Sequence, residues 1–284
     1  MRDQLPRLRR PGSPQGLAHR RRSGIGRAAA IAFAREGAGV AINYLPAEEP
    51  DAREVVQAIR DVGRKAVALP GDIRDEASCN KPMADAVAQL GGLDIGVSNA
   101  ARQVLQDSIL DISTEQFDMR FKTNVYAMFW IIKAAVPHLK PGSTIVCTTS
   151  VNPYDPGENI IGYAATKGAI MVFAKGLAKQ LASKGIRVNA VAPGPVWTPL
   201  QVTGGQPTDK LPKFGANTPL GRAGQPAELA PLHVLLASDE SSYSTGQAFG
   251  AVSGRGGPQP SPGKQQCRPS CHNRRRPVAH VLLF

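Results

Sequence analysis

Ile145-Val146-Cys147-Thr148-Thr149-Ser150, followed thirteen residues after Ser150 by Tyr163-Ala164-Ala165-Thr166-Lys167, is the stretch whose reading decides the fold. The apolar, β-branched run reads as a buried strand that ends at Ser150, the polar segment 152–159 reads as a loop, and a helical pattern runs from Tyr163 to Lys184. Strand, loop and helix in that order form the repeating unit of a parallel sheet. Within such a helix Tyr163 and Lys167 sit one turn apart on one face, so the ammonium can lie beside the phenol. A free tyrosine titrates near pH 10, and a neighbouring cation stabilises the phenolate and lowers that value. Tyr163 then becomes a usable general acid or base. Ser150, at the end of the neighbouring strand, can hydrogen-bond the same substrate oxygen and stabilise charge as it develops there.

The same alternation extends outward in both directions. Arg27 to Glu36 is an Ala-rich helix stopped by Gly37, and Val40 to Tyr44 is a strand. A second helix spans Asp51 to Asp61 and a second strand Ala66 to Leu69. Helix Glu76 to Leu90 leads to strand Leu93 to Ser98. Ser113 with Gln116 makes a capping box that opens a long helix running to about Leu139. After the Tyr163 helix come a strand at Ile186 to Val191, a helix from Pro226 to Leu236 and a last strand at Gly246 to Val252. Parallel strands joined by crossover helices make a doubly wound α/β sheet of Rossmann type, one domain over residues 23–254. Such a sheet binds ligands at the carboxyl ends of its strands, and Asp72, Asn99 and Ser150 all follow predicted strands. Gly24-Ile25-Gly26 lies immediately before the first helix, where glycines let backbone approach a pyrophosphate and the helix N-terminus offers unpaired N–H donors.

The 284 residues are 42% hydrophobic, enough for a substantial core. By sequence, no apolar run reaches the roughly 18 residues of a membrane span, and no secretory signal pattern opens the chain, so a soluble protein with no membrane role is expected. The net charge of +12 suggests nucleic acid until it is mapped. Residues 1–22 hold seven arginines and one aspartate, 255–284 hold five arginines and one lysine with no acid, and 23–254 balance to zero. A nucleic-acid role would rest on these Pro/Gly/Arg-rich ends alone, which read as a disordered or frame-shifted N-terminal segment and a basic low-complexity C-terminal tail. Cys79, Cys147, Cys267 and Cys271 form no disulfide framework and suit a reducing, cytoplasmic compartment. Cys267-x-x-x-Cys271-His272 lacks a second ligand pair, so no metal is expected. His138 and His233 fall within helical patterns and read as structural.

Taken in order, Ser23-Gly24-Ile25-Gly26, Asp72-Ile73, Asn99-Ala100-Ala101, Asn124, Ser150, Tyr163, Lys167 and Pro193-Gly194 resemble the short-chain dehydrogenase/reductase family over about residues 23–254. The stretch Ile42-Asn43-Tyr44-Leu45-Pro46 is similar to the glucose- and general-stress-type bacterial branch. The resemblance implies a hydride transfer between a nicotinamide cofactor and a small alcohol, polyol or carbonyl compound. Ser150 would polarise the carbonyl, Tyr163 would move the proton, Lys167 would depress the tyrosine pKa and hold the nicotinamide ribose, and Asn124 would hold a relay water. Asp72 and Ile73 would contact the adenine; Asn99 and Ala100 would line the cofactor cleft; Pro193, Gly194 and Thr198 would border the nicotinamide. Homotetramers built from paired long helices are implied as well. The end of the second family strand carries neutral Asn43 where an acid would repel a 2′-phosphate, and Arg27 offers a positive charge nearby. This points to NADP, with NAD as the alternative.

Two departures run against the resemblance. Gly96 and Ser98 stand where a bulky apolar residue and an asparagine are usual, and a strand glycine weakens pairing. The first family strand and its glycine loop should precede Gly24, but the chain has Leu17-Ala18-His19-Arg20-Arg21-Arg22-Ser23. Codons CAC CGG CGG CGA for His19 to Arg22, read one base later, encode Thr-Gly-Gly and the start of Asp; Gly16-Leu17-Ala18 shifts in the same way to Ala-Leu-Leu. A reading-frame change is therefore expected upstream of Ser23, and the alternative to an active enzyme is a catalytically impaired homologue lacking its first strand.

Overall fold

A computed structural model describes residues 24–253 and 279–283. Ser23 and the Cys267/Cys271/His272 group therefore lie outside the described residues, as do residues 1–22. Six strands follow the expected order: β1 Gly39–Tyr44, β2 Ala66–Pro70, β3 Ile95–Ser98, β4 Thr144–Thr148, β5 Arg187–Pro193 and β6 Ala248–Ala251. A seventh, β7, is formed by His280–Leu283. All pair in parallel in the order β2-β1-β7-β3-β4-β5-β6.

The sheet is covered on both faces, as an all-parallel sheet must be. Helices α1 (Ile25–Arg35) and α2 (Glu49–Asp61) cover one face, and α3 (Ala77–Leu90) the other. Ala52, Val55, Val56 and Ile59 of α2 recur at helical spacing and are buried, which is why that segment folds as an amphipathic helix. With α3 lie α5 (Ala127–Ala135) and α6 (Ile161–Leu181), whose Ile131, Ile132, Ile170 and Ala174 join Leu69, Met83, Ile145 and Val188 in the larger core. After the short helix α7 (Pro199–Thr203), helix α8 (Pro226–Ala237) lies beside α1, with Leu236 against Val146 and Val191. An 18-residue stretch within Glu158–Lys184 reaches a mean hydropathy of 1.2, so this helix is long and apolar enough to cross a membrane, which the sequence reading missed; in the fold it packs on β5 and the core.

Two local expectations change. The helix predicted from Ser113 to Leu139 is interrupted: α4 (Thr114–Phe121) passes into a π-helical turn, Lys122–Tyr126, before α5 begins. Single π turns inside helices are rare and recur at functional sites. The capping box is only half made: Ser113 Oγ accepts from the Gln116 N–H at 3.2 Å, but Gln116 Oε1 accepts from Gln106 Nε2 at 2.9 Å. The Gln116 side chain is drawn to a neighbouring loop.

The larger correction concerns the C-terminal segment, expected to hold no regular structure. His280–Leu283 occupies the middle of the sheet, with Val281 opposite Val40 and Ile95, Leu282 opposite Ala41 and Gly96, and Leu283 opposite Ile42 and Val97. Sequence reading leaves the first family strand missing; its slot is filled from the far end of the chain. The strand is apolar on both faces for a physical reason. Val281 and Leu283 pack with Ala29, Phe33, Val40 and Ile42 on the α1 side, and Leu282 packs with Ala41 and Met83 on the other. Gly96 does not prevent pairing: β3 pairs on both edges, and a Cβ there would meet only Ile145, at 3.9 Å.

Candidate active site

At the carboxyl ends of the strands, where β1 and β2 lie to one side of β7 and β3 to β6 to the other, a cleft of about 820 Å³ opens. That is the size and position expected of a small-molecule site in this architecture. Tyr163 lies in the first turn of α6, and Ser150 two residues past β4. The β-branched β4 run is fully buried, and its end delivers Ser150, itself only 5% exposed, to the cleft wall. Asn152 fixes that hydroxyl: its side-chain Nδ2 donates to Ser150 Oγ at 2.9 Å and its backbone N–H at 3.2 Å. Accepting twice, the hydroxyl keeps its own proton to donate.

Lys167 lies one turn beyond Tyr163 as expected, with its ammonium 5.5 Å from the ring centroid. The Nζ donates to the Thr148 carbonyl at 2.7 Å, while the Lys167 carbonyl accepts from Thr149 Oγ1 at 2.7 Å, so β4 and α6 are tied at the site. The electrostatics depart from the expectation of a depressed tyrosine. Burial pushes the Tyr163 phenol up to about 12, and a hydrogen bond with Ser150 opposes that shift. Burial pushes Lys167 down to about 8, against the pull of Cys147 beneath it. At neutral pH the pair is phenol and ammonium: Tyr163 is held as a proton donor.

The cleft also brings together most of the expected cofactor residues. Gly24, Ile25 and Gly26 at the start of α1, Asn43 at the end of β1, and Asp72 and Ile73 after β2 line it. So do Asn99 and Ala100 after β3, and Pro193, Gly194 and Thr198 after β5. The glycines at the α1 terminus are required by close approach. A Cβ on Gly24 would lie 2.7 Å from Thr198 Cγ2, and one on Gly26 would lie 2.9 Å from Asn99 Nδ2 and 3.2 Å from Leu283 Cδ2. Glycine at both positions lets the start of α1 pack closely against Thr198 and Asn99 in the cleft wall, and the N–H groups of its first turn are the donors that a pyrophosphate there would use.

Three expected placements need adjustment. Asn124 lies in the π turn, is 1% exposed and does not line the cleft. Its amide accepts from the Arg102 N–H at 2.6 Å and donates to the Arg102 carbonyl at 3.0 Å and Thr166 Oγ1 at 2.9 Å, tying the post-β3 loop to α6. Arg27 pairs with Glu54 at 3.7 Å and stands outside the cleft lining; an arginine that does line the cleft, beside Asn43 and Ile73, is Arg74, paired with Asp72. Asn43 donates to the Leu69 carbonyl at 2.9 Å, so its amide is partly committed to holding β2. Sequence reasoning missed Arg74, Asn152, Gln103 and Leu283, all of which line the cleft. An arginine two residues after the expected Asp72 and an asparagine two after Ser150 were the available signals.

Residues 18–254 match a family model described as enoyl-(acyl carrier protein) reductase. An uncharacterised oxidoreductase of Bacillus subtilis, YhxD, is 56% identical over 235 residues, covering 82% of this chain and 79% of that protein. The chain belongs to the short-chain dehydrogenase/reductase family. General stress protein 39 of B. subtilis is 49% identical over 227 residues (80% and 79% of the two chains), placing the family resemblance in the expected branch. NADPH-dependent aldehyde reductase 1 of Arabidopsis thaliana is 43% identical over 233 residues (80% and 81%). Among solved structures of the family, a short-chain dehydrogenase from Burkholderia cenocepacia in complex with NADP superposes with a TM-score of 0.76 at 29% identity, covering 82% of this chain and 93% of that one.

Proposed function

We propose that this chain is an NADP-dependent oxidoreductase that interconverts a small alcohol or polyol and its carbonyl compound. One observation carries the reading: Ser150, Tyr163 and Lys167 converge on a cleft whose other end is the glycine cradle at the start of α1. A nicotinamide cofactor bound along the cleft would supply or accept the hydride, the chemistry no side chain here can perform. Gly24 to Gly26 would hold the pyrophosphate, Lys167 the nicotinamide ribose, and Pro193, Gly194 and Thr198 the nicotinamide itself.

In the reducing direction, the Ser150 hydroxyl, oriented by Asn152, donates to the substrate carbonyl oxygen and draws charge toward it. As the carbonyl carbon gains the hydride, Tyr163 passes its phenolic proton to that oxygen and is left as phenolate. The Lys167 ammonium stabilises the phenolate until solvent reprotonates it. The alcohol-oxidising direction reverses each step. Arg74 at the adenosine end, the absence of an acid at Asn43 and the NADP-linked relatives favour NADP over NAD. A homotetramer is part of this reading: Phe117, Tyr126, Phe129 and Val172 on α4, the π turn, α5 and α6 are 42–64% exposed, the kind of apolar surface that paired helices would cover.

The test is Tyr163→Phe assayed with NADPH and a panel of short aldehydes, ketones and polyols. Turnover should fall by roughly 10²–10⁴-fold with cofactor affinity nearly unchanged, because only the proton donor is lost. Appreciable turnover by the Phe variant of an active protein overturns the mechanism. A wild-type chain that binds cofactor and turns over none of the panel favours the impaired homologue.

A further inference from the structure

We propose that residues 279–283 complete the cofactor site: they dock as a strand between β1 and β3, and Leu283 is a positioning residue for the glycine turn at the start of α1. The inference rests on the reading of the cleft as a nicotinamide dinucleotide site. It goes beyond that reading by assigning part of the cradle's support to a segment outside the matched region 18–254.

Three sets of contacts carry it. First, β7 is paired on both edges, and among the described residues it is all that separates β1 from β3. Without it, the inner edges of two buried strands would present unpaired N–H and C=O groups to the core, each a desolvated polar group. Second, the register is pinned at the strand's start. The Gly39 N–H donates to the Ala279 carbonyl at 2.9 Å, the His280 N–H donates to Asp94 Oδ2 at 2.9 Å, and the same carboxylate oxygen lies 3.2 Å from His280 Nδ1. A slip of one residue would also exchange the two faces of the strand. Third, that register carries Leu283 to the carboxyl end of the sheet, where it lines the cleft and stands against Gly26. Leu283 thus supports from beneath the backbone whose N–H groups would face the pyrophosphate. Leu282, one residue earlier and 3% exposed against 7% for Leu283, packs on the opposite face in the other core and is outside the cleft lining.

This alternation supplies the test. Hydrogen exchange on the full chain reads docking without any ligand: amides 281–283 should exchange far more slowly than an unstructured peptide of the same sequence, and more slowly still with NADPH. Fluorescence titration with NADPH should show Leu283→Ala weakening cofactor binding by about tenfold and Leu282→Ala by less than about threefold, although both cost core packing of similar size. Free exchange at 281–283, or equal losses of affinity in the two variants, overturns the proposal. A chain ending at Val278 that binds NADPH as the full chain does would also overturn it. If that truncation does not fold, the two leucine variants decide. Cofactor binding with unprotected 281–283 strikes this proposal alone; protection with no binding of either dinucleotide strikes the reading of the cleft, and this proposal with it.

Discussion

The two halves of the cleft are built in opposite ways. The proton-transfer half is local: Ser150, Asn152, Tyr163 and Lys167 come from one strand, one loop and one helix contiguous in the chain, tied by hydrogen bonds from Lys167 to Thr148 and from Thr149 to Lys167. The cofactor half is assembled from distant pieces, namely the start of α1, the ends of β1, β2, β3 and β5, and a strand from the other end of the chain. A local unit keeps its geometry as long as its own core holds. A distributed one fails when any supporting strand is missing, so the two halves should come apart experimentally.

The sharpest separation compares Tyr163→Phe with Lys167→Ala. The first removes the proton and should spare cofactor affinity. The second removes a buried ammonium that the proposed reading assigns to both halves, so turnover should fall by at least the same roughly 10²–10⁴-fold and cofactor affinity should fall with it. Steady-state kinetics beside NADPH titration checks this; unchanged cofactor affinity in Lys167→Ala would break the assignment of the lysine to both halves.

Next in size is a contest for the central slot. Restoring Ala-Leu-Leu-Thr-Gly-Gly-Asp at positions 16–22 would supply the strand and glycine loop that the family resemblance places before Gly24. Two segments would then compete for the gap between β1 and β3. The restored chain should bind NADPH more tightly and be more stable, amides 281–283 should lose their exchange protection, and Leu283→Ala should become nearly silent. A restored chain in which 281–283 stay protected and binding is no tighter would show that the C-terminal strand owns the slot.

What was legible follows the same division. Ser150, Tyr163 and Lys167 could be read because period-2 and period-3.6 patterns are local and because a cleft at strand ends follows from parallel topology. The long helix after Ser113 was legible as a helix, but not its π turn, which propensity does not encode and which the amide network of Asn124 accompanies. The strand at His280 was not legible. Its apolar run is short, sits behind Arg274-Arg275-Arg276-Pro277, and pairs with Gly39 and Ile95 far away in sequence. Short apolar runs buried on both faces have no period to detect. The spacing to Lys167 shows a neighbour but not the depth of burial, and burial is what raises the Tyr163 phenol.

That depth has a consequence in pH. With Tyr163 pushed up to about 12, the phenol stays protonated across the working range, so carbonyl reduction should not lose its proton donor as pH rises from 6 to 8. Lys167, pushed down to about 8, loses its charge as pH rises through that value, and the phenolate left by each turnover then lacks its cation. Reduction should be level below about pH 7.5 and fall above about pH 8, by up to tenfold per pH unit. A pH–rate profile falling already between pH 6 and 7 would contradict this assignment.

The smallest expected effect tests the end of the cleft that the proposed reading gives to the adenosine, where the sequence points to Arg27 and the cleft lining holds Arg74. Arg74 is about 40% exposed and already paired with Asp72, so it can offer only a screened charge to a 2′-phosphate. Arg74→Ala should therefore weaken NADPH by about three- to tenfold, leave NADH nearly unchanged, and alter stability by no more than about 0.5 kcal/mol, as expected for an exposed pair. Arg27→Ala, which removes a partner of Glu54 outside the cleft, should leave the NADPH/NADH ratio where it was. Parallel titrations of both variants with both cofactors read the difference directly. A ratio that moves in Arg27→Ala and holds in Arg74→Ala would return the phosphate contact to the helix, and would mean that the start of α1, rather than the loop after β2, selects the cofactor.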